Sequence, residues 1–447
     1  MDKKTLQIGF DDTDSTRKGC TTYVAALLVE KLQKLGAEFI DYPNLIRLNP
    51  NVPWKTRGNG ALCLRIKIDP DSENQVRETV ISTVEENADL EFRGTDPGVV
   101  FLEKATIPKN VKAFAKQAIT GIATLKEALK LLAEHNGEAV GFKSGRGIIG
   151  ALAAIGETLQ ADHTFEILSY RVPENRGFKR RVDETSIFEM DRATAPYTFN
   201  NVDPERHRVI ITPRGPDPIL LGIRGESAET VKEAFEMIKP LETVERWVIF
   251  RSNQGTDAHL KKTDNLNQLT PYSSVIVRAI VAANPKMIRG KHVIFPIRDE
   301  SGARADCAAY EPTGLLNRVA RELLPGDCIE AYGSVKPPSG KRPLTVNLEK
   351  LRLLKLAAKL VQRNPPCPKC GKRMKSMGKN KGFRCEKCGL RETKSGKIEV
   401  KEKRKIRKGL YISSARSQRH LTKPSVRYGK EKHNGSFKGM IENWHSA

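Results

Sequence analysis

Two short cysteine repeats constrain this chain more than any other feature. Cys367-Pro-Lys-Cys370-Gly371 and Cys385-Glu-Lys-Cys388-Gly389 match in spacing, with fourteen residues between Cys370 and Cys385. Each Cys-x-x-Cys-Gly turns two thiolates the same way, and two such knuckles complete a tetrahedral site for a structural Zn²⁺. With sulfur in all four positions, the metal keeps no open site for catalysis. The other four of the eight cysteines, Cys20, Cys63, Cys307 and Cys328, are dispersed, as reduced thiols of a cytosolic protein are. A redox role needs no second matched knuckle, so a zinc ribbon is expected over 363–393.

The second constraint lies near the N-terminus, in Ile8-Gly9-Phe10-Asp11-Asp12-Thr13-Asp14-Ser15. An apolar run ending in acids reads as a strand that opens into a charged loop. Asp11, Asp12 and Asp14 repel one another, and gathering them makes physical sense around a hard cation such as Mg²⁺ or beside a nucleophile to be oriented. Thr21 and Thr22 fall at the start of the following helix, with Lys18 and Gly19 just before. Free backbone N–H groups at such a start attract phosphate oxygens. Together these features point to Mg²⁺-dependent phosphoryl chemistry. The same residues also read as an acidic strand-to-helix turn with an ordinary cap.

Taken in order, Leu6 to Asp11, Leu45 to Leu48, Ala61 to Ile68 and Gly98 to Leu102 read as strands. Thr22 to Leu35 and Val76 to Glu86 read as helices, which gives the βαββαβ order of a ferredoxin-like unit over 1–135. Within it, Lys55-Thr56-Arg57-Gly58-Asn59-Gly60 is a loop whose glycines admit a ligand and whose Lys55 and Arg57 neutralise phosphate. A second unit of the same order is expected over 136–262, opening with a strand at Ala139 to Phe142 and a helix at Gly150 to Leu159. Lys143 and Arg146 precede that helix as further phosphate clamps. Val172 to Asp203 lacks periodicity and reads as a loop-rich insertion or lid.

From Tyr272 the pattern becomes five strands with a helix between the third and fourth, the order of an OB-fold, expected over 270–358. Beyond the cysteines, 394–447 is a basic tail in which cations alternate with rings. The fold class is therefore α+β multidomain. Lys and Arg number 77 against 53 Asp and Glu, a net charge of +24 concentrated after Val361, and nucleic acid is the natural partner. That distribution suggests RNA affinity after Val361 and chemistry before Phe250. No apolar run approaches the ~20 residues of a membrane span, so a cytoplasmic monomer is expected.

Asp-Asp-Thr-Asp-Ser, Cys-Thr-Thr-Tyr, Arg47-Leu-Asn-Pro50, Lys55-Thr-Arg-Gly-Asn-Gly60, Gly145-Arg-Gly and the Arg419-His420-Leu-Thr-Lys423-Pro tail together resemble a known family. It is the archaeal 2-agmatinylcytidine synthetases, which modify the wobble cytidine of the isoleucine tRNA bearing a CAU anticodon. The resemblance covers nearly the whole chain. It implies a kinase domain, a ferredoxin-like domain, an OB-fold and a zinc ribbon, with ATP, agmatine and tRNA as ligands. It implies too that ATP, released as AMP, phosphorylates the cytosine O2, after which agmatine's primary amine displaces phosphate at C2. Thr21 matches the threonine that becomes autophosphorylated. Asp11, Asp12 and Asp14 then become catalytic or metal-holding. Lys18, Gly19, Thr22, Lys55, Arg57, Asn59, Lys143 and Arg146 become ATP and phosphate contacts. Glu226 or Asp203 would face the agmatine guanidinium, and Arg419, His420 and Lys423 would touch tRNA.

Two other classes fit the same motifs. A non-catalytic tRNA- or ssDNA-binding protein would use only barrel, ribbon and tail, and would turn over no ATP. An ATP-dependent nucleic-acid ligase or nucleotidyltransferase would form a lysine–AMP adduct. In every case the four thiolates are structural. Cys385→Ser is expected to lose metal, loosen its surroundings and weaken tRNA binding, while ATP cleavage without tRNA persists. Elemental analysis checks this, and retention of stoichiometric zinc would refute the ligand set.

Overall fold

The computed structural model describes residues 2–340, 342–433 and 437–446. In β1 (Lys4–Asp11) the side chains alternate, and Leu6, Ile8 and Phe10 fall on one face. In α1 (Thr21–Lys34), Val24, Leu28 and Leu32 recur every fourth residue and bury one stripe against that face. β2 (Asn44–Arg47), β3 (Gly60–Ile68), α2 (Glu73–Asn87) and β4 (Gly98–Leu102) follow. The spatial order β4-β1-β3-β2, antiparallel throughout, is that of a ferredoxin-like unit, as expected.

After α3 (Lys109–Thr120) and α4 (Leu125–Glu134), the path departs from expectation. β5 (Glu138–Gly141) does not open the second unit. It pairs with β4, Glu138 opposite Phe101, and extends the first sheet. α5 (Gly147–Gly156) packs on β1 so closely that a Cβ on Gly9 would lie 2.2 Å from the Ala151 carbonyl oxygen. All of α5 except Ile149 is buried, because a helix without a polar side must be covered all round. The sheet and α3 supply that cover.

The second half consists of β6 (Thr164–Arg171), α6 (Glu184–Thr194), β7 (Ile219–Gly225), α7 (Ala228–Glu236) and β8 (Val244–Ser252). Its α6 lies in the segment read as loop-rich. Asp183 caps it by accepting from Thr185 N at 2.9 Å, and Ile187 and Met190 enter the core. β8 pairs antiparallel with β6 and parallel with β2, so both halves form one ten-stranded sheet.

β9 (Ser274–Val281), β10 (Val293–Arg298), β11 (Arg304–Ala309), β12 (Cys328–Lys336) and β13 (Thr345–Lys355) close a barrel, with α8 (Leu315–Arg321) between the third and fourth. Neighbours run β9-β10-β11-β13-β12 and back to β9, and only β11 and β13 are parallel, which is OB topology. β14 (Lys359–Arg363) and β15 (Ile398–Glu402) pair beside the ribbon. There the ligand sulfurs of Cys367, Cys370, Cys385 and Cys388 lie within 4.8 Å of one another, a donor set that fits tetrahedral Zn²⁺.

The basic tail is not a free polyelectrolyte. β16 (Gly409–Ile412) adds to β13, and the chain then returns to the first sheet. Arg427 is fully buried, donating to Glu226 at 2.7 Å and Asp162 at 2.8 Å. Lys350 of β13, also buried, donates to Asp257 at 2.6 Å and to the Lys423 carbonyl at 2.8 Å. Near the end, Trp444 is 7% exposed and packs on Phe39 and Tyr42 of the first half. The residues after Val361 therefore do not stand apart from those before Phe250, because the tail packs into the core of the two-half sheet. Trp444→Ala is expected to cost ~3–5 kcal/mol in reversible denaturant unfolding, as truncation of a buried aromatic does. A loss below ~1 kcal/mol would contradict a core role for the tail.

Candidate active site

A cavity of about 360 Å³ lies over the ends of β1, β2, β6 and β7, facing the first turns of α1 and α5. Asp11, Asp12, Asp14, Thr21, Thr22, Lys55, Arg57, Asn59, Arg146 and His420 all line it. Residues named from sequence as catalytic, phosphate-binding and RNA-binding thus share one space.

Asp11 ends β1 against the first turn of α5. A Cβ on Gly150 would lie 1.9 Å from Asp11 Oδ2, so only glycine leaves the carboxylate room. Burial, then the neighbouring Asp12 and Asp14, push its pKa well up. Asp12 adopts φ 63°, and its Oδ2 accepts from Arg146 Nη2 at 2.6 Å and Nε at 3.1 Å. Burial outweighs that arginine and raises the Asp12 pKa to about 6. Asp14 accepts from Arg57 Nε at 2.6 Å, while Arg57 also donates to Asp217 at 3.3 Å and to the Gly19 carbonyl at 2.7 Å.

Thr21 opens α1, and its Oγ1 accepts from Thr13 Oγ1 at 3.0 Å. Cys20, the cap residue, makes no side-chain cap; Thr21 and Thr22 of the first turn line the cavity, while the Tyr23 and Val24 N–H groups donate to the Cys20 carbonyl at 3.0 and 3.1 Å. Its thiol is buried with a raised pKa, chiefly from burial, and bonds Thr22 Oγ1 at 3.1 Å. That is packing rather than nucleophile activation. Among the described residues Lys55 bonds only the Arg57 carbonyl, at 2.9 Å, and Asn59 holds the Asn49 carbonyl at 2.7 Å.

Several named residues do not line the cavity. Lys18 lies 3.5 Å from Asp89, and Lys143 donates to the Phe92 and Thr95 carbonyls, each at 2.7 Å. Gly19 contributes its carbonyl to Arg57 instead. Glu226 is held by Arg427 and Lys432, and Asp203 by Arg416. Arg419 bonds Asn51, and Lys423 pairs with Glu431 at 3.0 Å.

The cavity's second wall was missed by sequence reasoning. Arg47 lines it with a buried Nε that has no hydrogen-bond partner among the described residues, and burial lowers its pKa to about 10. Glu166 accepts from Arg224 at 2.9 Å, and Arg224 donates to His420 Nδ1 at 2.8 Å. Burial, then Arg47 and Arg224, holds the His420 pKa well below its usual value, so the ring is neutral. Arg47 stood in a quoted motif, and Arg224 lies in a stretch, Gly222 to Ser227, whose small residues and cation before a helix suit an anion or polar ligand, but Glu166 and Asp217 carry no local signal.

Three family models match consecutive parts of the chain: the TiaS TCKD domain over 7–144, the TiaS FLD domain over 145–259, and the TiaS C-terminal zinc ribbon domain over 364–406. The tRNA 2-agmatinylcytidine synthetase TiaS of Pyrococcus horikoshii is 44% identical over 423 residues, 94% of this chain and 97% of the relative. The chain belongs to the TiaS family. The Methanosarcina mazei TiaS is 43% identical, over 94% of this chain and 97% of its own. Among solved structures, apo TiaS matches with TM-score 0.85 at 40% identity, covering 95% of this chain and 97% of that one. A complex of TiaS with tRNA, AMPCPP and agmatine matches with TM-score 0.83 at 36% identity, covering 98% and 99%.

The close approach of α5 to Asp11 gives a direct test. Gly150→Ala should drive a methyl group into the Asp11 carboxylate and cost about 1–3 kcal/mol of stability, an overpacking effect. Urea unfolding measures it, and an unchanged midpoint would refute the packing of α5 against the acid loop.

Proposed function

We propose that this chain ligates agmatine to C2 of the wobble cytidine of the CAU-anticodon isoleucine tRNA, consuming ATP. The observation that carries the reading is the convergence of Asp11, Asp12, Asp14 and Thr21 at the uncapped start of α1 in one cavity. The match to TiaS relatives along nearly the whole chain supports it.

The cytosine O2 is a poor leaving group until phosphorylated. Phosphoryl transfer asks the protein mainly for positioning and charge neutralisation. Arg57 and Arg146 lie on carboxylates of the cavity and exchange them for phosphate oxygens when nucleotide enters. The N–H groups of α1 receive further phosphate oxygens, and the Thr21 hydroxyl is placed to accept a phosphoryl group. Asp11, Asp12 and Asp14 are the hard oxygen donors we assign to Mg²⁺; among the described residues only the four cysteines stand as a gathered ligand set, and Asp12 and Asp14 are held by Arg146 and Arg57. When bound, Mg²⁺ neutralises phosphate charge.

Glu166 and Asp217 are the cavity's carboxylates from the second half, and we assign them to the agmatine guanidinium in place of Glu226 and Asp203. The agmatine amine then forms the new bond at C2, and the C2–O2 bond breaks with phosphate leaving. Cys367, Cys370, Cys385 and Cys388 hold Zn²⁺ as a structural ion. Among the described residues no helix is long and apolar enough to cross a membrane, and a cytoplasmic place of action follows from the substrate.

The test is incubation with ATP, Mg²⁺, agmatine and unmodified tRNA, followed by mass spectrometry of the anticodon nucleoside. The expected product is cytidine plus agmatine less one water. Asp12→Asn should lose at least ~10²-fold in rate, as loss of a positioned charged group does, while binding tRNA nearly as well. Unmodified cytidine with the parent chain, or normal turnover by the variant, would overturn the reading.

A further inference from the structure

Beside the catalytic cavity lies a second space of about 550 Å³, and its wall comes from three parts of the fold. The 50–58 loop supplies Lys55 and Arg57, β2 supplies Arg47, the end of barrel strand β12 supplies Lys336, and the tail supplies Arg419 and His420. Among the described residues, Asp and Glu are absent from its lining. Arg57 is neutralised by Asp14 and Asp217, and Arg419 lies 3.6 Å from Glu349. Arg47, Lys55 and Lys336 form no ion pair among the described residues. Lys55 and Lys336 are both held below the usual lysine range, first by burial and then by neighbouring cations.

The crowding is built in. Asn51 of the loop donates to Ser274 Oγ of β9 at 2.7 Å, and Arg419 bonds both Asn51 and Ser334 of β12. Loop, barrel and tail are thereby fixed around the same space. Cations held together without counter-ions lower their mutual energy by taking up anions. The groove shares Arg47, Lys55, Arg57 and His420 with the catalytic cavity, so a chain of anions along it leads into that cavity. At the junction Trp54 lines the catalytic side with 47% of its surface exposed. An exposed indole next to cations is what a single-stranded nucleic acid uses for stacking while its phosphates are neutralised.

We propose that this groove seats the phosphodiester backbone of single-stranded RNA flanking the reacting nucleotide, with Trp54 stacking on a neighbouring base. The proposal rests on the RNA-modifying reading above. It gives the barrel, through Lys336, a direct part in presenting the nucleotide, and it assigns Lys55 to RNA rather than ATP.

The test uses the full chain with unmodified CAU-anticodon tRNA as probe, measuring Kd across a series of KCl concentrations alongside KM for ATP. Lys336→Gln is expected to weaken tRNA binding roughly three- to tenfold and to reduce the slope of log K against log salt by ~0.7, one single-strand phosphate contact. Lys336→Arg should restore both. Trp54→Ala should weaken binding roughly five- to a hundredfold with the salt slope unchanged, as loss of base stacking does. KM for ATP should hold in both Lys336 variants. Unchanged Kd and slope in Lys336→Gln, or a rise in KM for ATP with Kd unchanged, would overturn the proposal, the latter placing nucleotide phosphates in the groove. Should Lys336→Gln melt early, Trp54→Ala decides, and its unaltered Kd would also overturn the assignment. A parent chain that binds tRNA with these dependences but forms no agmatine adduct would instead refute the proposed reaction.

Discussion

The whole site depends on a short parallel seam between β2 and β8. Only Asn44 with Arg251 and Leu45 with Ser252 are paired across it, and so brief a parallel ladder is weak by itself. Side chains reinforce it. Arg251 donates to Asp41 at 2.9 Å, Ser252 Oγ to the Leu45 carbonyl at 2.6 Å, and Asn253 takes the place of a further strand residue by bonding both backbone groups of Arg47. Breaking a buried charged pair such as Arg251 and Asp41 costs roughly 3–5 kcal/mol. The seam therefore fixes where Arg47 points, and it brings the acid loop of one half opposite Glu166 and Asp217 of the other.

Charge in the cavity is arranged as a set of replaceable pairs. Asp12 with Arg146 and Asp14 with Arg57 keep each other from standing alone in a poorly solvated space. An isolated buried charge would be far more costly. Because the partners are side chains of the cavity itself, the proposed phosphate binding would draw on cations already held at the site. The glycines at 147 and 150 let α5 approach closely enough to place Arg146, its cap residue, over Asp12.

How much of this was legible follows from the range of each signal. The barrel's order of five strands with a helix between the third and fourth was legible, since alternating half-buried strands declare themselves locally. The acid loop was legible because its three carboxylates fall within four residues. The helix α6 was not, since only Ile187 and Met190 mark its buried side in a polar segment. The helix α5 was recognised but given the wrong neighbours, because an all-apolar helix carries no indication of which sheet covers it. Arg47, Glu166 and Asp217 meet only through the seam. The tail misled for a related reason: Arg416, Lys423 and Arg427 look unpaired in sequence, while Asp203, Asp162 and Glu226 wait hundreds of residues earlier.

The return of the tail also sets a timetable for the molecule. During synthesis the acid loop, both halves of the sheet and the barrel emerge long before His420 closes the cavity wall and Trp444 covers Phe39 and Tyr42. Until then the cavity lacks one side and the first core is open to water. A chain cut short before His420 thus carries every acidic residue of the cavity yet lacks the wall that encloses them.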